Sequence, residues 1–206
     1  MRLILASASP RRRVLLGRLG LPFEVRPSGI EEPLAPGVPA AALATALARA
    51  KAREVAARVR AGGGTPAVVL GADTLVVVDD RPLGKPASRD EARGMLRALR
   101  DRSHEVVTGV ALVATADARE AVAVVASQVL MRAYGDAEID AYVATGEPDD
   151  KAGAYAVQGV GGHLVARVLG CYTNVVGLPL GTTARLLRTF GLTPADVRPD
   201  AGRPPS

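Results

Sequence analysis

The 206-residue chain has little cysteine, few aromatic residues and almost no lysine. Its one cysteine, Cys171, excludes an internal disulfide framework and a cysteine-rich zinc site, and favours a cytoplasmic protein. Aromatic residues make up 3% of the chain and tryptophan is absent, so Val, Leu, Ile and Ala must build the core. No apolar run approaches the ~20 residues that cross a bilayer, and we expect no membrane partner or signal peptide.

The positive charge is carried almost entirely by arginine. Lys plus Arg is 26 against 21 for Asp plus Glu, yet only Lys51, Lys85 and Lys151 are lysines. This bias, with abundant Ala, Gly and Val, is typical of GC-rich coding, and no aromatic residues lie among the arginines to stack on bases. We therefore expect no stable nucleic-acid partner. Where arginine is the default cation, a retained lysine suggests that a compact ammonium is required.

Strand and helix patterns alternate along the chain, and some strands follow one another directly. Periodicity predicts strands near 2–6, 23–25, 67–70, 74–78, 105–114, 121–131 and 164–169, and helices near 10–19, 38–61, 88–99, 136–145 and 180–190. This order predicts an α/β fold with a mixed sheet flanked by helices. We interpret residues 1–192 as a single domain and expect 193–206, which holds four prolines, to be a disordered tail.

A turn rich in serine and arginine joins the first strand to the first helix. Ser9-Pro10 is typical of a helix N-cap followed by the first helical residue. Helix N-termini attract anions, and Ser7, Arg11 and Arg12 in the same turn are suited to holding a phosphate. A plain helix cap followed by solvated arginines is the alternative.

An acid interrupts an apolar run at Gly71-Ala72-Asp73-Thr74. A buried carboxylate is costly unless it is paired, bound to metal or placed at a sheet edge. Asp73 is therefore a candidate metal ligand or a base that takes a proton from water. The alternative is a turn aspartate that caps its own backbone.

Other polar residues lie among glycines and prolines. Gly84-Lys85-Pro86 presents Lys85 on a defined loop. Small residues surround Lys151 and Gln158, so the backbone there can approach a ligand, and the Gln158 amide can donate to and accept from a base edge. Glu31-Glu32 is a candidate metal-binding or base-contacting pair. Exposed loops are the alternative for each of these segments.

Other catalytic arrangements find little support. His104 and His163 lie in runs where a ring more often packs or caps, so no Ser-His-Asp triad is indicated. Cys171 has no evident activating neighbour. The chain also has no Walker loop and no GxGxxG fingerprint.

Six short motifs occur in a fixed order. They are Leu5-Ala6-Ser7-Ala8-Ser9-Pro10-Arg11-Arg12, Gly71-Ala72-Asp73-Thr74, Gly84-Lys85-Pro86, Thr108-Gly109-Val110, the segment from Asp150 to Gly159, and Gly177-Leu178-Pro179-Leu180. In this order they resemble the Maf family of nucleoside triphosphate pyrophosphatases, over roughly residues 2–190. One departure is Ala156-Val157, where Gly-Ile is usual, and it leaves Gln158 intact.

The resemblance implies a fold like that of inosine triphosphatases, with a cleft between two lobes. It also implies a homodimer and cleavage between the α and β phosphates with Mg²⁺ or Mn²⁺. Asp73 matches the family's proton acceptor, and with Glu32 it is the implied metal ligand. The positions tied to substrate choice in the dTTP/UTP branch are Arg11, Thr74 and Gln158. The positions linked to phosphate binding or organisation of the site are Ser7, Arg12, Lys51, Lys85 and Lys151.

Together these features predict a hydrolase of the nucleotide diphosphatase type that acts on dTTP and UTP. A sister branch that prefers 7-methyl-GTP carries another residue in place of Arg11 and an acid-Gln pair in place of Asp73-Thr74, so this chain resembles the dTTP/UTP branch. Two alternatives stay open. One is a broad pyrophosphatase that removes modified nucleotides, and the other is a non-catalytic nucleotide-binding regulator of cell division.

Overall fold

One seven-stranded sheet organises the part of the chain that the structure describes. The structure is a computed structural model that describes residues 1–31 and 37–195, so Glu32 lies outside it. The strands are β1 (Arg2–Leu5), β2 (Phe23–Val25), β3 (Ala67–Val78), β4 (Arg81–Leu83), β5 (Ser103–Ala114), β6 (Glu120–Met131) and β7 (Val165–Leu169). The helices are α1 (Pro10–Gly17), α2 (Ala40–Ala61), α3 (Arg89–Leu99), α4 (Asp136–Ala144), α5 (Tyr172–Val176) and α6 (Leu180–Thr189). Across these two ranges, no helix is long and apolar enough to cross a membrane.

The sheet is mixed, as predicted. Its strand order is β2-β1-β3-β5-β6-β7, and β4 pairs with β3 off this path. β1 runs parallel to both β2 and β3, whereas β3, β5, β6 and β7 pair antiparallel. The α/β prediction with a mixed sheet flanked by helices is therefore confirmed.

β3 is a single strand of 12 residues, whereas the sequence predicted two strands separated by Gly71-Ala72-Asp73. These three residues pair in register with Ala111, Val110 and Gly109 of β5. Pairing with β5 along almost the whole strand overrides the weak strand preference of glycine and aspartate. The strand ends at Asp79-Asp80, whose φ angles of 49° and 59° form a tight turn into the short strand β4.

The two faces of the sheet are covered differently. Odd-numbered residues of β3, such as Val69 and Val77, pack in the clusters under α2. Even-numbered residues face the other side and form two separate apolar clusters. Leu70 belongs to the cluster with α1 and α6, and Val76 to the cluster with α3 and α4. This division gives the two lobes that the resemblance implied.

Two glycines allow α2 to lie very close to the sheet. A Cβ added at Gly71 would lie 2.3 Å from the Ala48 carbonyl oxygen, and one at Gly109 would lie 2.3 Å from the Ala44 carbonyl oxygen. Both motif glycines thus make room for backbone, which no larger residue could do without moving the helix. The close packing brings Lys51 of α2 over β3.

The packed structure continues beyond α6 and past the predicted domain boundary. Leu192 and Pro194 are buried, and the Ala195 N–H donates to the Leu19 carbonyl at the end of α1, at 2.9 Å. The start of the predicted tail, Thr193 to Ala195, therefore packs on the domain. Residues 196–206 lie outside the described residues.

Candidate active site

A cleft of about 520 Å³ opens between the two lobes. Its walls come from the turn before α1, the middle of β3, the loop after β4, the segment before β7 and the end of α5. Eight of the residues singled out in the sequence line it: Ser7, Arg11, Arg12, Asp73, Thr74, Lys85, Lys151 and Gln158. Motifs far apart in the sequence therefore share one cavity.

The first wall is the turn between β1 and α1. Buried Ser7 accepts hydrogen bonds through Oγ from the Ser9 N–H at 3.2 Å and from Arg12 Nη1 at 3.3 Å. The Ser9 Oγ caps α1 by accepting from the Arg12 N–H, and Pro10 is the first helical residue, as predicted. The start of α1 thus borders the cleft, and its partial positive charge favours an anion there.

Arg12 is held in place by protein acceptors. Its Nε donates to the Gly177 carbonyl at 2.9 Å, its Nη2 donates to Thr74 Oγ1 at 3.0 Å and its Nη1 donates to Ser7. Since these acceptors lie in three different segments, the plane of the guanidinium is fixed relative to β1, β3 and α5. Arg12 is therefore an oriented cation and not a solvated arginine.

Asp73 and Lys51 form a buried ion pair. Each residue is 4% exposed, and the Lys51 Nζ lies 2.6 Å from Asp73 Oδ1. Burial of both charges is costly, and their pairing compensates that cost. Lys51 is not among the residues lining the cleft, so its position favours support of Asp73 over direct contact with phosphate. Asp73 lies within β3, which does not fit the alternative of a turn aspartate.

The opposite wall carries two lysines. Lys85 is exposed at the cleft, on a loop joined to the next segment by a hydrogen bond from the Gly153 N–H to the Gly84 carbonyl, at 3.0 Å. Gly153 has a φ of 69°, and an added Cβ would lie 2.9 Å from Val76 Cγ1, so only glycine fits there without strain. The hydrogen bond to Gly84 and the packing against Val76 therefore fix the backbone conformation at Gly153.

Lys151 pairs with its neighbour Asp150 at the rim of the cleft. Burial acts to raise the pKa of Asp150, but the hydrogen bond and charge of Lys151, followed by the charge of Arg11, leave that pKa below its ordinary value. Arg11 on one wall and Lys151 on the other thus act on the same carboxylate. Both cations line the same cleft and are therefore available to one anionic ligand.

Tyr155 and His104 were not predicted as part of the site. Tyr155 lines the cleft, and its hydroxyl is hydrogen-bonded at 2.7 Å to Nε2 of buried His104. Burial lowers the pKa of His104 to about 4, so its ring is neutral near pH 7, and burial also raises the pKa of Tyr155. No spacing in the sequence links the two residues, because β5 and the segment carrying Tyr155 meet only in the fold. Gln158 is exposed farther along that segment.

The described residues do not assemble a metal site on their own. Within 1–31 and 37–195, no group of three or more His, Cys, Asp or Glu side chains is placed to hold a metal ion. Asp73 lines the cleft, and the other predicted ligand, Glu32, is outside those ranges. Mg²⁺ commonly uses only one or two protein carboxylates together with substrate phosphates and waters. The carboxylate at Asp73 fits that mode of binding.

Sequence comparison relates the whole domain to one family. A profile described as "Maf-like protein" matches residues 2–190. The dTTP/UTP pyrophosphatase of Anaeromyxobacter dehalogenans (strain 2CP-C) is 53% identical over 192 residues, covering 92% of this chain and 94% of its own. That of Moorella thermoacetica is 54% identical over 191 residues, covering 93% and 96%. A solved nucleoside-triphosphatase / dITP/XTP pyrophosphatase of Mycobacterium abscessus covers 92% and 94% at 15% identity, and its TM-score of 0.40 is too low to bear on the fold.

Proposed function

The chain belongs to the Maf family, and on that premise we propose that it hydrolyses dTTP and UTP to the monophosphate and pyrophosphate. Relatives at about half identity over the whole domain are dTTP/UTP pyrophosphatases, which supports this substrate class. The observation that carries the proposal is the cleft itself. Four cationic side chains, Arg11, Arg12, Lys85 and Lys151, line it together with Asp73.

The cations and the start of α1 bind the triphosphate. A nucleoside triphosphate carries several negative charges, and displacement at phosphorus needs positioning and charge neutralisation more than covalent chemistry. Arg12 is already oriented by its three acceptors, so it loses little freedom when it binds a phosphate oxygen. Lys85 and Lys151 approach from the opposite wall and neutralise the charge on the departing pyrophosphate.

Asp73 is the base. Its carboxylate takes a proton from water as the water oxygen bonds to phosphorus and the bond to the bridging oxygen breaks. The pair with Lys51 fixes the carboxylate, because the Lys51 Nζ is buried and only 2.6 Å from Oδ1. Lys51 therefore positions the base from behind the sheet.

A divalent metal, Mg²⁺ or Mn²⁺, completes the proposal. Asp73 and Glu32 would hold it, with the remaining ligands coming from phosphates and water. When bound, the metal neutralises charge on the phosphate oxygens. Asp73 can then serve both as ligand and as base, since a carboxylate has two oxygens.

Gln158 and Arg11 are proposed to select the nucleobase of the substrate. Thymine and uracil present carbonyl acceptors on either side of an N–H donor, and a carboxamide can pair with both kinds of group. Gln158 is exposed at the cleft, on the segment that also carries the Tyr155 ring. Polar groups left without partners discriminate strongly between ligands, so Gln158 should favour pyrimidines.

The proposal is tested by release of pyrophosphate from dTTP, UTP, dATP and GTP at one metal concentration. We expect a higher kcat/KM for dTTP and UTP, and a loss of about tenfold for these two alone in Gln158→Ala, the size of one lost hydrogen bond. Gln128→Ala is the matched control, because Gln128 is exposed on β6 and does not line the cleft.

Two results point to other functions. Equal rates on all four nucleotides, with higher rates on modified ones, would leave a broad pyrophosphatase. A rise in melting temperature with dTTP but no release of pyrophosphate would leave a nucleotide-binding regulator.

We also infer a cytoplasmic homodimer. The single, unpaired Cys171 agrees with a reducing compartment. Val124, Leu130 and Leu169, on β6 and β7, are 44%, 40% and 44% exposed, and apolar exposure of this kind supports a contact with a second copy. Sedimentation of the wild type and of Leu130→Glu measures this, with dissociation expected for the variant.

A further inference from the structure

Thr108 is a buried polar residue behind Thr74 of the cleft wall, and the proposed mechanism does not use it. Its neighbours on the same face of β5, Val106 and Val110, belong to the two apolar clusters on either side. Thr108 itself is 0% exposed, and it lies opposite Thr74 in the pairing of β3 with β5. The close approach of α2 explains Gly109 in the same motif, but it does not explain Thr108.

The hydroxyl of Thr108 belongs to a directed chain of hydrogen bonds. It donates to the Asn174 carbonyl in α5 at 3.2 Å, and it lies 2.9 Å from Thr74 Oγ1. A threonine hydroxyl has one hydrogen, and with that of Thr108 on Asn174, Thr74 donates to Thr108, its nearer acceptor, and not to the Gly177 carbonyl at 3.5 Å. With its hydrogen committed to Thr108, the Thr74 oxygen accepts from Arg12 Nη2 at 3.0 Å.

We propose that Thr108 is a positioning residue that orients Arg12 through Thr74, an inference that rests on the proposed role of Arg12 in binding the phosphates. The chain runs from the Arg12 guanidinium through Thr74 and Thr108 to α5. The same end of α5 also holds Arg12 directly, because the Gly177 carbonyl accepts from Nε. Two nitrogens of Arg12 are thus tied to α5 by two routes, and Thr108 is the buried link in one of them.

The proposal also changes how Thr74 affects the substrate. Its hydroxyl accepts from Arg12 and donates to Thr108, so its hydrogen is used inside the protein. Thr74 therefore acts on the phosphates through the guanidinium and not by donating to the base. Substitutions at Thr74 and Thr108 should then affect the same step.

The test uses Thr108→Val, which keeps the shape of the side chain and removes the hydroxyl. Thr108→Ser restores the hydroxyl without the methyl group. Thr183→Val in α6 is the matched control, because Thr183 is also 0% exposed and its Oγ1 has no hydrogen-bond partner among the described residues. Affinity for inorganic pyrophosphate and for α,β-imido-dTTP is measured by calorimetry, beside kcat and KM for dTTP and the free energy of unfolding.

We expect Thr108→Val to weaken binding of both ligands by about tenfold, as for one lost hydrogen bond that orients a charged group, while Thr183→Val binds them like the wild type. Thr108→Ser should recover most of the affinity. In a Thr74→Val background, Thr108→Val should add less than about twofold, because residues that act through one another are not additive.

Three results would overturn the proposal: additive effects of the two substitutions, equal effects of Thr108→Val and Thr183→Val, or no recovery by serine. Failure of the proposed function has a different signature. If the wild type releases no pyrophosphate from any nucleotide, but its binding of inorganic pyrophosphate depends on the Thr108 hydroxyl as expected above, the enzyme proposal is wrong and the role of Thr108 is retained. A wild type that binds neither ligand would overturn both.

Discussion

Asp73 and Thr74 are neighbours in β3 and both line the cleft, yet their side chains are held by different elements. The Asp73 carboxylate is paired with buried Lys51 of α2, a 22-residue helix packed against backbone at Gly71 and Gly109. Thr74 faces the cleft, whose walls come from several short segments, and the cations there lie next to open space.

The difference separates residues that hold the Asp73 carboxylate from residues that are available to bind a ligand. On the α2 side Lys51 meets the charge of Asp73, and both side chains are buried, so the carboxylate is held in place. On the cleft side Arg11, Lys85 and Lys151 are at least partly exposed, so their charge is available to a ligand. A site that binds a polyanion and also positions a carboxylate benefits from both arrangements, since the carboxylate alone would repel the phosphates.

The largest effect is expected when α2 is pushed away from the sheet. In Gly109→Ala the new Cβ would lie 2.3 Å from the Ala44 carbonyl oxygen, which is backbone and cannot rotate away. We expect a loss of about 3 kcal/mol or more in the free energy of unfolding, measured by urea denaturation. Gly94→Ala in α3 is the control, because nothing lies within 4 Å of the added Cβ. That change should stabilise the protein by roughly 0.5–1 kcal/mol. Equal stabilities for the two variants would show that α2 is not tightly held.

The second largest effect is expected when the charge of Asp73 is removed, and it should appear in turnover. Asp73→Asn keeps the shape but removes the base, and we expect kcat for dTTP to fall by about 10²-fold or more. The far-ultraviolet circular dichroism spectrum at room temperature should be unchanged. Asp79→Asn is the matched control, because Asp79 directly follows β3 and its exposed carboxylate pairs with Arg102. Near-normal turnover in Asp73→Asn would assign the base elsewhere.

The cleft side should be the more sensitive to acid, because buried His104 is hydrogen-bonded to Tyr155 in the wall of the cleft. Burial lowers the pKa of His104 to about 4 from 6.5, so the unfolded chain takes up this proton first as the pH falls. The resulting stability is fully present above pH 6.5 and is lost progressively down to about pH 4. Between pH 7.5 and 5 we expect a loss of about 2 kcal/mol from this residue.

Urea denaturation at the two pH values measures that loss. His104→Gln should abolish this part of the pH dependence, whereas His163→Gln should retain it, because His163 is exposed. The same dependence in both variants would contradict the assignment to His104.

The smallest effect is expected from removing the contact between residues 193–195 and the end of α1. A chain truncated after Leu192 loses buried Pro194 and the hydrogen bond from the Ala195 N–H to the Leu19 carbonyl. We expect a loss of about 1 kcal/mol in the free energy of unfolding. Truncation after Ala195 should leave stability and activity nearly unchanged, since no matched motif lies beyond it. A large loss from the second truncation would show that residues 196–206 contribute to the fold or to a dimer.

The sequence predicted which residues line the cleft better than it predicted how the surrounding strands and helices hold them. The turn before α1, with its Ser9 cap and Pro10, was predictable because its signals are local. The motif order predicted that Asp73, Lys85 and Gln158 would meet. These residues do line one cleft. Their chemical roles stay predictions, as does the metal.

What the sequence did not show depends on pairing between distant segments. β3 was divided in two because glycine and aspartate weaken a strand locally, and only β5 shows that it continues. α5 was missed, since five residues are too few for a helical period. The His104–Tyr155 hydrogen bond and the link through Thr108 join residues that are far apart along the chain. Local spacing carries no signal for such contacts.

The alternation of Asp73 and Thr74 also limits how the chain can change in length. One residue inserted into β3 just before Asp73 would turn the acid away from Lys51 and turn the next side chain toward α2, so the ion pair would be lost. A deletion there would do the same. The tight turn at Asp79-Asp80 lies beyond this segment, and a change of length there leaves both side chains where they are. Length variation in this part of the protein should therefore collect at the turn, while the span from Gly71 to Thr74 keeps its residue count even when its residues differ.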